Sequence, residues 1–151
     1  MMADLHPTEI EFTAGFDASW ETRQGAVLRS AVAKFYTDTF SDDVQIRRYF
    51  SEDYVQNVDG KTLRFEEFMM HVRFLRGATK SLRFEVIDAV YADGILADRH
   101  RVHIVKANGE LMEAEVLAFL RIKDCRVVEL NELTQVIKGE ATDREMGSRV
   151  R

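Results

Sequence analysis

The chain has 151 residues, of which 46% are hydrophobic and 31% charged, and its formal net charge is −5. A chain of this length and composition is expected to form one globular domain around one core, which excludes wholesale disorder. The acidic balance and the lack of a dense basic cluster argue against nucleic acid and against anionic membrane surfaces as partners.

The first 22 residues are predicted to form an N-terminal arm, because they show neither helical nor strand periodicity. Their isolated Phe12, Phe16 and Trp20 either pin the arm across this domain or a partner subunit, or belong to a frayed terminus. The chain start lacks the basic and apolar regions of a signal peptide, and no segment approaches 18 uninterrupted apolar residues. We therefore expect a cytoplasmic protein.

Three amphipathic helices are predicted in the first half of the chain. Apolar residues recur at helical spacing over residues 24–40, 44–50 and 65–75. Ser41 or Asp42 can cap the second of these helices at its N-terminus.

A short strand is predicted between the second and third helices. It begins at Tyr54 and ends in the turn dipeptide Asp59-Gly60. Gly77 stands where a C-cap glycine would end the third helix.

The second half of the chain changes to strand periodicity. Residues 81–92, 94–107, 110–122 and 125–137 are rich in Val, Ile and Phe and often alternate apolar with polar residues. The turn dipeptides that separate them are Asp93-Gly94, Asn108-Gly109 and Lys123-Asp124. Helices followed by long antiparallel strands predict an α+β fold, with three N-terminal helices on one face of a curled sheet.

The folded domain is expected to span residues 23–138, followed by a C-terminal tail over 139–151. Thr142 and Glu145 in the tail have the spacing of a capping box on a short helix, although a solvated end is the alternative. Cys125 has no second cysteine with which to form a disulfide and is a poor metal ligand by itself.

This order of elements resembles the nuclear transport factor 2-like superfamily, also called SnoaL-like or ketosteroid isomerase-like, over about residues 24–138. The stretches that carry the likeness are "AVAKFYTDTFSDD", "RYFSEDYVQNVDGK" and "LAFLRIKDCRVVELNEL". The resemblance implies a cone-shaped half-barrel of the cystatin-like kind, with a pocket for a small molecule on its concave face. It also implies a homodimer formed through the convex face of the sheet.

The alternation within "EAEVLAFL" indicates which residues face that pocket. Met112, Ala114, Val116, Ala118 and Leu120 form a uniformly apolar set and are assigned to the concave face. The intervening mixed set is assigned to the convex, dimer-forming face.

In ketosteroid isomerases, the strand that resembles residues 54–60 carries the carboxylate that moves the proton, and that position falls on Asn57 here. An amide has no suitable pKa, so Asp59, two residues on, would have to replace it. The oxyanion-stabilising acid of that family falls near Ala118, which donates nothing. Both departures disfavour a steroid isomerase.

The limonene epoxide hydrolase branch fits better, since an Asn there helps to hold a nucleophilic water beside an Arg and two acids. The resemblance places Arg99 on the family's Arg and Glu132 on its second acid. Arg101 falls where that family has an acid, so only Glu132 and Asn57 remain to activate a water.

The sequence therefore predicts a pocket in which Glu132, Asp59 and His103 are the catalytic candidates. Arg99 and Arg101 would favour a ligand with a carboxylate or enolate, because their forked donors match such oxygens. The ligand-binding candidates are Asn57, Arg99, Arg101, Tyr36, Phe40, Tyr49, Phe68, Met112 and Ala118.

A structural alternative exists for the same charged residues. Arg99 and Arg101 would then pair across strands on the convex face with Glu85, Glu113 or Glu115. His71 and His100 are interpreted as ordinary half-buried or surface histidines, and the four histidines are too scattered to predict a metal or another cofactor.

Two functions remain open from the sequence. One is an isomerase, lyase or hydrolase acting on a small hydrophobic or acidic organic substrate. The other is a non-catalytic homodimer that binds a ligand or another protein. The directions in which Arg101, His103 and Glu132 point are expected to distinguish the two.

Overall fold

The computed structural model describes residues 14–139, which form three α-helices and one curled six-stranded sheet. A short 3₁₀-helix, Ala18–Thr22, precedes the helices α1 (Gly25–Ser41), α2 (Asp43–Tyr49) and α3 (Phe65–Ala78). The strands are β1 (Phe50–Val58), β2 (Lys61–Arg64), β3 (Thr79–Ala92), β4 (Ile95–Lys106), β5 (Leu111–Lys123) and β6 (Arg126–Lys138). The predicted α+β cone is thus confirmed, with the helices covering one face of an unclosed sheet.

The strand order of the sheet is β2-β1-β6-β5-β4-β3. All neighbouring strands are antiparallel except β1 and β6, which run parallel. The parallel pairing brings the polar end of β1 beside the middle of β6. This pairing therefore places residues 54–59 and 130–134 next to each other although they are far apart in the chain.

Local sequence explains where several of these elements begin and end. The Asp42 carboxylate accepts a hydrogen bond from the Val44 backbone N–H and so caps α2. Asp59 and Gly60 both have positive φ, as the tight β1–β2 hairpin requires. Gly77 does not cap α3, since it lies within the last turn of a helix that ends at Ala78. The short strand β2 carries no clear alternation and was not predicted.

The core lies between α1, α2, α3 and the concave face of the sheet. Phe16 and Trp20 are buried in it, where the Phe16 ring packs edge-on against Phe35 and Tyr49. The Phe16 N–H also donates to the Cys125 carbonyl oxygen at 3.1 Å. The described part of the arm is therefore pinned across its own domain.

Residues 1–13 and 140–151 lie outside the described residues, and with them Phe12 and the Thr142–Glu145 pair. Within residues 14–139, no helix is both long enough and apolar enough to cross a lipid bilayer.

The β5–β6 turn holds a cysteine in a conformation that suits glycine better. Asp124 and Cys125, not Lys123 and Asp124, occupy its centre, with φ of 52° and 65°. We expect Cys125→Gly to raise the free energy of unfolding by about 1 kcal/mol, because a left-handed backbone is costly for residues with a Cβ. Urea unfolding measures the change, and Cys125→Ala, which keeps the Cβ, serves as the control. A smaller gain for glycine than for alanine would contradict the expectation.

Candidate functional site

An internal cavity of about 90 Å³ lies between the helices and the concave face of the sheet. That volume holds roughly six water molecules, or an organic molecule of comparable size. The phenylalanines that line the cavity therefore do not fill the interior of the cone.

The cavity lining is mostly apolar, with a few hydrogen-bonding side chains. The apolar residues are Phe40, Phe50, Phe68, Leu75, Leu82, Phe84, Val102, Ile104, Met112, Ala114, Val116, Leu120 and Leu130. The polar residues are Tyr36, Thr39, Tyr54, Gln56, His71, His100, Glu132 and Thr134. Apolar walls with a few convergent polar groups are typical of small-molecule sites.

A buried hydrogen-bonded chain joins Tyr36 on α1 to Asp98 and His100 on β4. The Tyr36 hydroxyl donates to Asp98 Oδ2 at 2.6 Å, and His100 Nδ1 lies 2.5 Å from Asp98 Oδ1. Burial, followed by the neighbouring Asp98, raises the pKa of Tyr36 well above its usual value, so its phenol remains a donor.

This chain orients the imidazole of His100. A carboxylate can only accept, so a hydrogen on Nδ1 points to Asp98, and Nε2 is the nitrogen that Asp98 does not engage. His100 is 2% exposed and lines the cavity. The geometry is that of a histidine base held by an acid.

Glu132 on β6 lines the same cavity. Burial raises its pKa from 4.5 to about 8, and the nearby Asp98 and Asp59 carboxylates contribute to the shift. The residue is half-buried by surface area, yet its side chain points to the concave face with Leu130 and Thr134. Glu132 is therefore a neutral carboxylic acid at pH 7 and can donate a hydrogen bond.

Ala118 separates the two acids. In the register of the sheet, Asp98 lies opposite Ala118, and Ala118 lies opposite Glu132. Two strand spacings place the Cα atoms of Asp98 and Glu132 about 10 Å apart on one face. Ala118 itself is buried in the core and is not among the residues that line the cavity.

A second polar pair lies on β1 beside Glu132. The Tyr54 hydroxyl donates to Gln56 Oε1 at 2.8 Å, and both residues are buried. Burial first, and then Glu132, raises the pKa of Tyr54 well above its usual value. Because Gln56 accepts through its oxygen, its amide nitrogen keeps two donor hydrogens.

The charged residues predicted for the pocket wall lie outside the cavity, and their expected placement is corrected here. Arg99, Arg101 and His103 point to the convex face, where Arg99 pairs with Asp88 and His103 Nε2 lies 2.8 Å from Glu85 Oε1. Arg101 approaches Glu113 and Glu115 at 3.6 and 3.7 Å. The structural alternative for these side chains is the arrangement observed.

Asn57 also lies on the convex face, where its amide donates to Asn131 at 3.0 Å and accepts from Thr62. Alternation along β1 turns Gln56 inward and Asn57 outward. The side chain of Asp59 is exposed and bonds to the β6 backbone. Neither Asn57 nor Asp59 therefore lines the cavity.

Of the predicted apolar lining, Tyr36, Phe40, Phe68 and Met112 line the cavity. Ala118 is buried on the same concave face, as the alternation of β5 predicts. Tyr49 packs elsewhere, against Phe16 and Phe35, with its hydroxyl 3.5 Å from Asp38 Oδ2. The pattern therefore identified the lining residues on α1, α3 and β5.

Among the polar residues that line the cavity, sequence reasoning missed Gln56 and His100, and it also missed Asp98, which contacts His100. One available signal is the hairpin around Asn108-Gly109, which places Arg101 opposite Glu115. Since Glu115 belongs to the convex set, Arg101 must share that face, and His100 must then face inward.

The cavity has no positive side chain, because no Lys or Arg occurs among its described lining residues. The reason to expect an acidic ligand therefore disappears together with the arginines. The Asp98 carboxylate, which contacts His100 at the cavity wall, also disfavours anions. Within residues 14–139, no group of three or more His, Cys, Asp or Glu is placed to hold a metal ion.

The chain is similar to an uncharacterised protein of the fission yeast Schizosaccharomyces pombe. The two are 35% identical over 115 residues, which cover 76% of this chain and 88% of the yeast protein. No model of a known protein family matches the chain.

Solved structures share the fold at low sequence identity. IdmH from Streptomyces antibioticus, a candidate polyketide cyclase, matches with a TM-score of 0.59 and 17% identity, covering 69% of this chain and 88% of IdmH. AclR from Streptomyces galilaeus, a candidate hydroxylase, matches with a TM-score of 0.61 and 15% identity, covering 80% and 87%. An NTF2-like protein of unknown function from Exiguobacterium matches with a TM-score of 0.59 and 14% identity, covering 68% and 93%.

Proposed function

Because the chain belongs to one family with the fission yeast protein and has the fold of nuclear transport factor 2-like proteins, we propose that it is a small-molecule enzyme of that fold. Its reaction is the transfer of a proton on a small, neutral carbonyl compound, as in an isomerase. The observation that carries this proposal is the presence of His100, held by Asp98, and the neutral acid Glu132 in one cavity.

The two groups have complementary roles in the proposed reaction. His100 Nε2 removes a proton from the carbon next to the carbonyl, and the electron pair of that C–H bond forms a C=C bond. The carbonyl oxygen takes the proton of Glu132, which gives an enol. His100 then returns its proton to carbon while Glu132 regains the enol proton, so no other reactant is consumed.

The surroundings of the site favour this chemistry over reactions of a free carboxylate. Asp98 stabilises the imidazolium that forms on His100, and the Tyr36 hydroxyl donates to the other oxygen of Asp98. Gln56 offers amide donors beside Glu132, so a developing enolate oxygen meets two kinds of donor. The apolar walls strengthen each of these contacts by excluding water.

The cavity volume limits the substrate to a compound of no more than about six non-hydrogen atoms. The experiment is incubation of the protein in D₂O with neutral ketones of this size, beginning with cyclopentanone. NMR should show loss of the C–H signals next to the carbonyl, faster than in buffer. Thermal stabilisation by such ketones without any exchange would instead indicate the non-catalytic ligand-binding function.

We also propose that the protein forms a homodimer through the convex face of the sheet. This face exposes Leu117, Phe119 and Leu133 at 47%, 59% and 65%, which is unusual for large apolar side chains on three neighbouring positions. Leu117 and Leu133 lie directly opposite each other on β5 and β6. A second copy related by a two-fold axis would cover this patch with the same patch.

Phe119→Asp is expected to weaken the dimer roughly 30-fold, since a buried interface aromatic contributes about 2 kcal/mol or more. Sedimentation velocity across a concentration series measures the dissociation constant. Val27→Asp, which replaces an exposed apolar residue on α1, is the matched control and should leave the constant unchanged. A monomeric wild-type protein, or equal effects of the two substitutions, would contradict the proposal.

A further inference from the structure

Asp59 makes two contacts with β6 that the proposed reaction does not explain. It follows the last residue of β1, Val58, which pairs with Glu132. Its φ is 49°, and with Gly60 it forms the turn into β2. The side chain is exposed at the surface and does not line the cavity.

These two contacts hold β6 at Glu132 itself and two residues beyond it, at Thr134. The Asp59 N–H donates to the Glu132 carbonyl oxygen at 3.2 Å, and Asp59 Oδ1 accepts from the Thr134 N–H at 2.8 Å. The parallel pairing of β1 with β6 ends at Val58, so the Asp59 carboxylate replaces the backbone acceptor that a longer β1 would supply. The segment that carries Glu132 is thereby fixed at two points.

We propose that Asp59 is a positioning residue for Glu132, which fixes the strand segment beneath it and biases the charge of its carboxyl group. Only the effect of Asp59 on catalysis rests on the proposed function; its effect on the position of Glu132 does not. Asp59 acts through the sheet and does not contact the substrate.

The charge of Asp59 is one of several influences on Glu132. Burial raises the pKa of Glu132 most, followed by Asp98 on β4 and then by Asp59. The other titratable groups that face the cavity around Glu132 are Tyr36 on α1, Tyr54 on β1, His71 on α3 and His100 on β4. Asp59 differs from Asp98 because it is exposed, so its influence should weaken as salt is added.

The chain offers a substitution that separates geometry from charge. Asp59→Asn keeps an oxygen that can accept from Thr134 but removes the negative charge, whereas Asp59→Ala removes both. A matched control is Asp93→Asn, since Asp93 has a φ of 53° in the equivalent Asp-Gly turn between β3 and β4. The control changes the net charge of the protein by the same amount.

The experiment is a pH titration of the full chain labelled with ¹³C at the glutamate carboxyl carbons, followed by NMR. Asp59→Asn should lower the midpoint of Glu132 by about half a unit to one unit, and less in 1 M salt. Amide hydrogen exchange at Thr134 should be at least tenfold faster in Asp59→Ala than in Asp59→Asn. Asp93→Asn should change neither quantity.

An unchanged Glu132 midpoint in Asp59→Asn would overturn the inference, as would equal Thr134 exchange in the asparagine and alanine variants. Neither measurement needs turnover. If the midpoint moves but the wild-type protein exchanges no ketone protons, the inference about Asp59 stands and the proposed function fails. If ketone exchange is observed while the midpoint does not move, only the inference about Asp59 fails.

Discussion

Glu132→Gln is expected to stabilise the protein at pH 9 by about 3–5 kcal/mol while changing its stability little at pH 4. In the unfolded chain the carboxyl ionises near its usual pKa of 4.5, and in the folded protein near 8. The folded state therefore binds one more proton than the unfolded state between these two values. Stability is fully present below pH 4.5 and falls as the pH rises toward 8.

Glutamine removes this dependence because its amide resembles the neutral acid in shape and does not titrate. The wild-type protein should lose about 1.4 kcal/mol per pH unit in this window relative to the variant. Urea unfolding at pH 4, 6, 7.5 and 9 measures the difference. Glu129→Gln is the control, since Glu129 lies on the same strand and bonds to Arg121 on the convex face. Parallel stability curves for wild type and Glu132→Gln would show that the carboxyl is ionised in the folded protein.

His100→Gln is expected to slow enzyme-dependent ketone exchange by about 10² to 10⁴-fold, the usual contribution of a positioned general base. Glutamine fits a similar space but offers no ring nitrogen to take the proton. NMR exchange rates in D₂O measure the loss, with circular dichroism to verify the fold. His103→Gln makes the same replacement on the outer face of the same strand, and its rate should stay within about twofold of wild type.

The pH profile of that reaction provides an independent check on the assigned roles. If Glu132 acts as the proton donor, the rate should fall as the pH rises through about 8. A rate that instead rises through that value would make Glu132 the base and would contradict the assignment. Full activity in His100→Gln would remove the proposed base.

Most of the fold could be predicted from local patterns. Helical spacing over residues 24–40 and 65–75, and the hairpin dipeptides Asp93-Gly94 and Asn108-Gly109, predicted an α+β fold with the helices on one face of a curled sheet, and the family resemblance added the cone shape. These signals depend on contacts within a few residues, so sequence order alone reveals them. The strand β2 was missed because its four residues show no period and are defined only by pairing with β1.

The site was harder to predict because it depends on which face of each strand is concave. A shift of one residue exchanges Gln56 for Asn57, and His100 for Arg99 or Arg101. The family resemblance favoured the wrong member of each pair. The cross-strand pairing of Arg101 with Glu115 instead indicates that Arg101 faces outward and His100 inward. Glu132 was selected because the resemblance places it on the family's second acid. In the structure it lies on β6 between Leu130 and Thr134, which also face inward.

Ala114 on β5 has the smallest side chain among the residues that line this cavity. Each methylene added at position 114 would occupy room that a guest molecule needs, and the strand positions that bear Asp98, His100 and Glu132 would keep their own partners. Relatives with the same acid and base could thus accept shorter or longer compounds through one substitution on β5. The dimensions of the substrate would then be able to change independently of the groups that transform it.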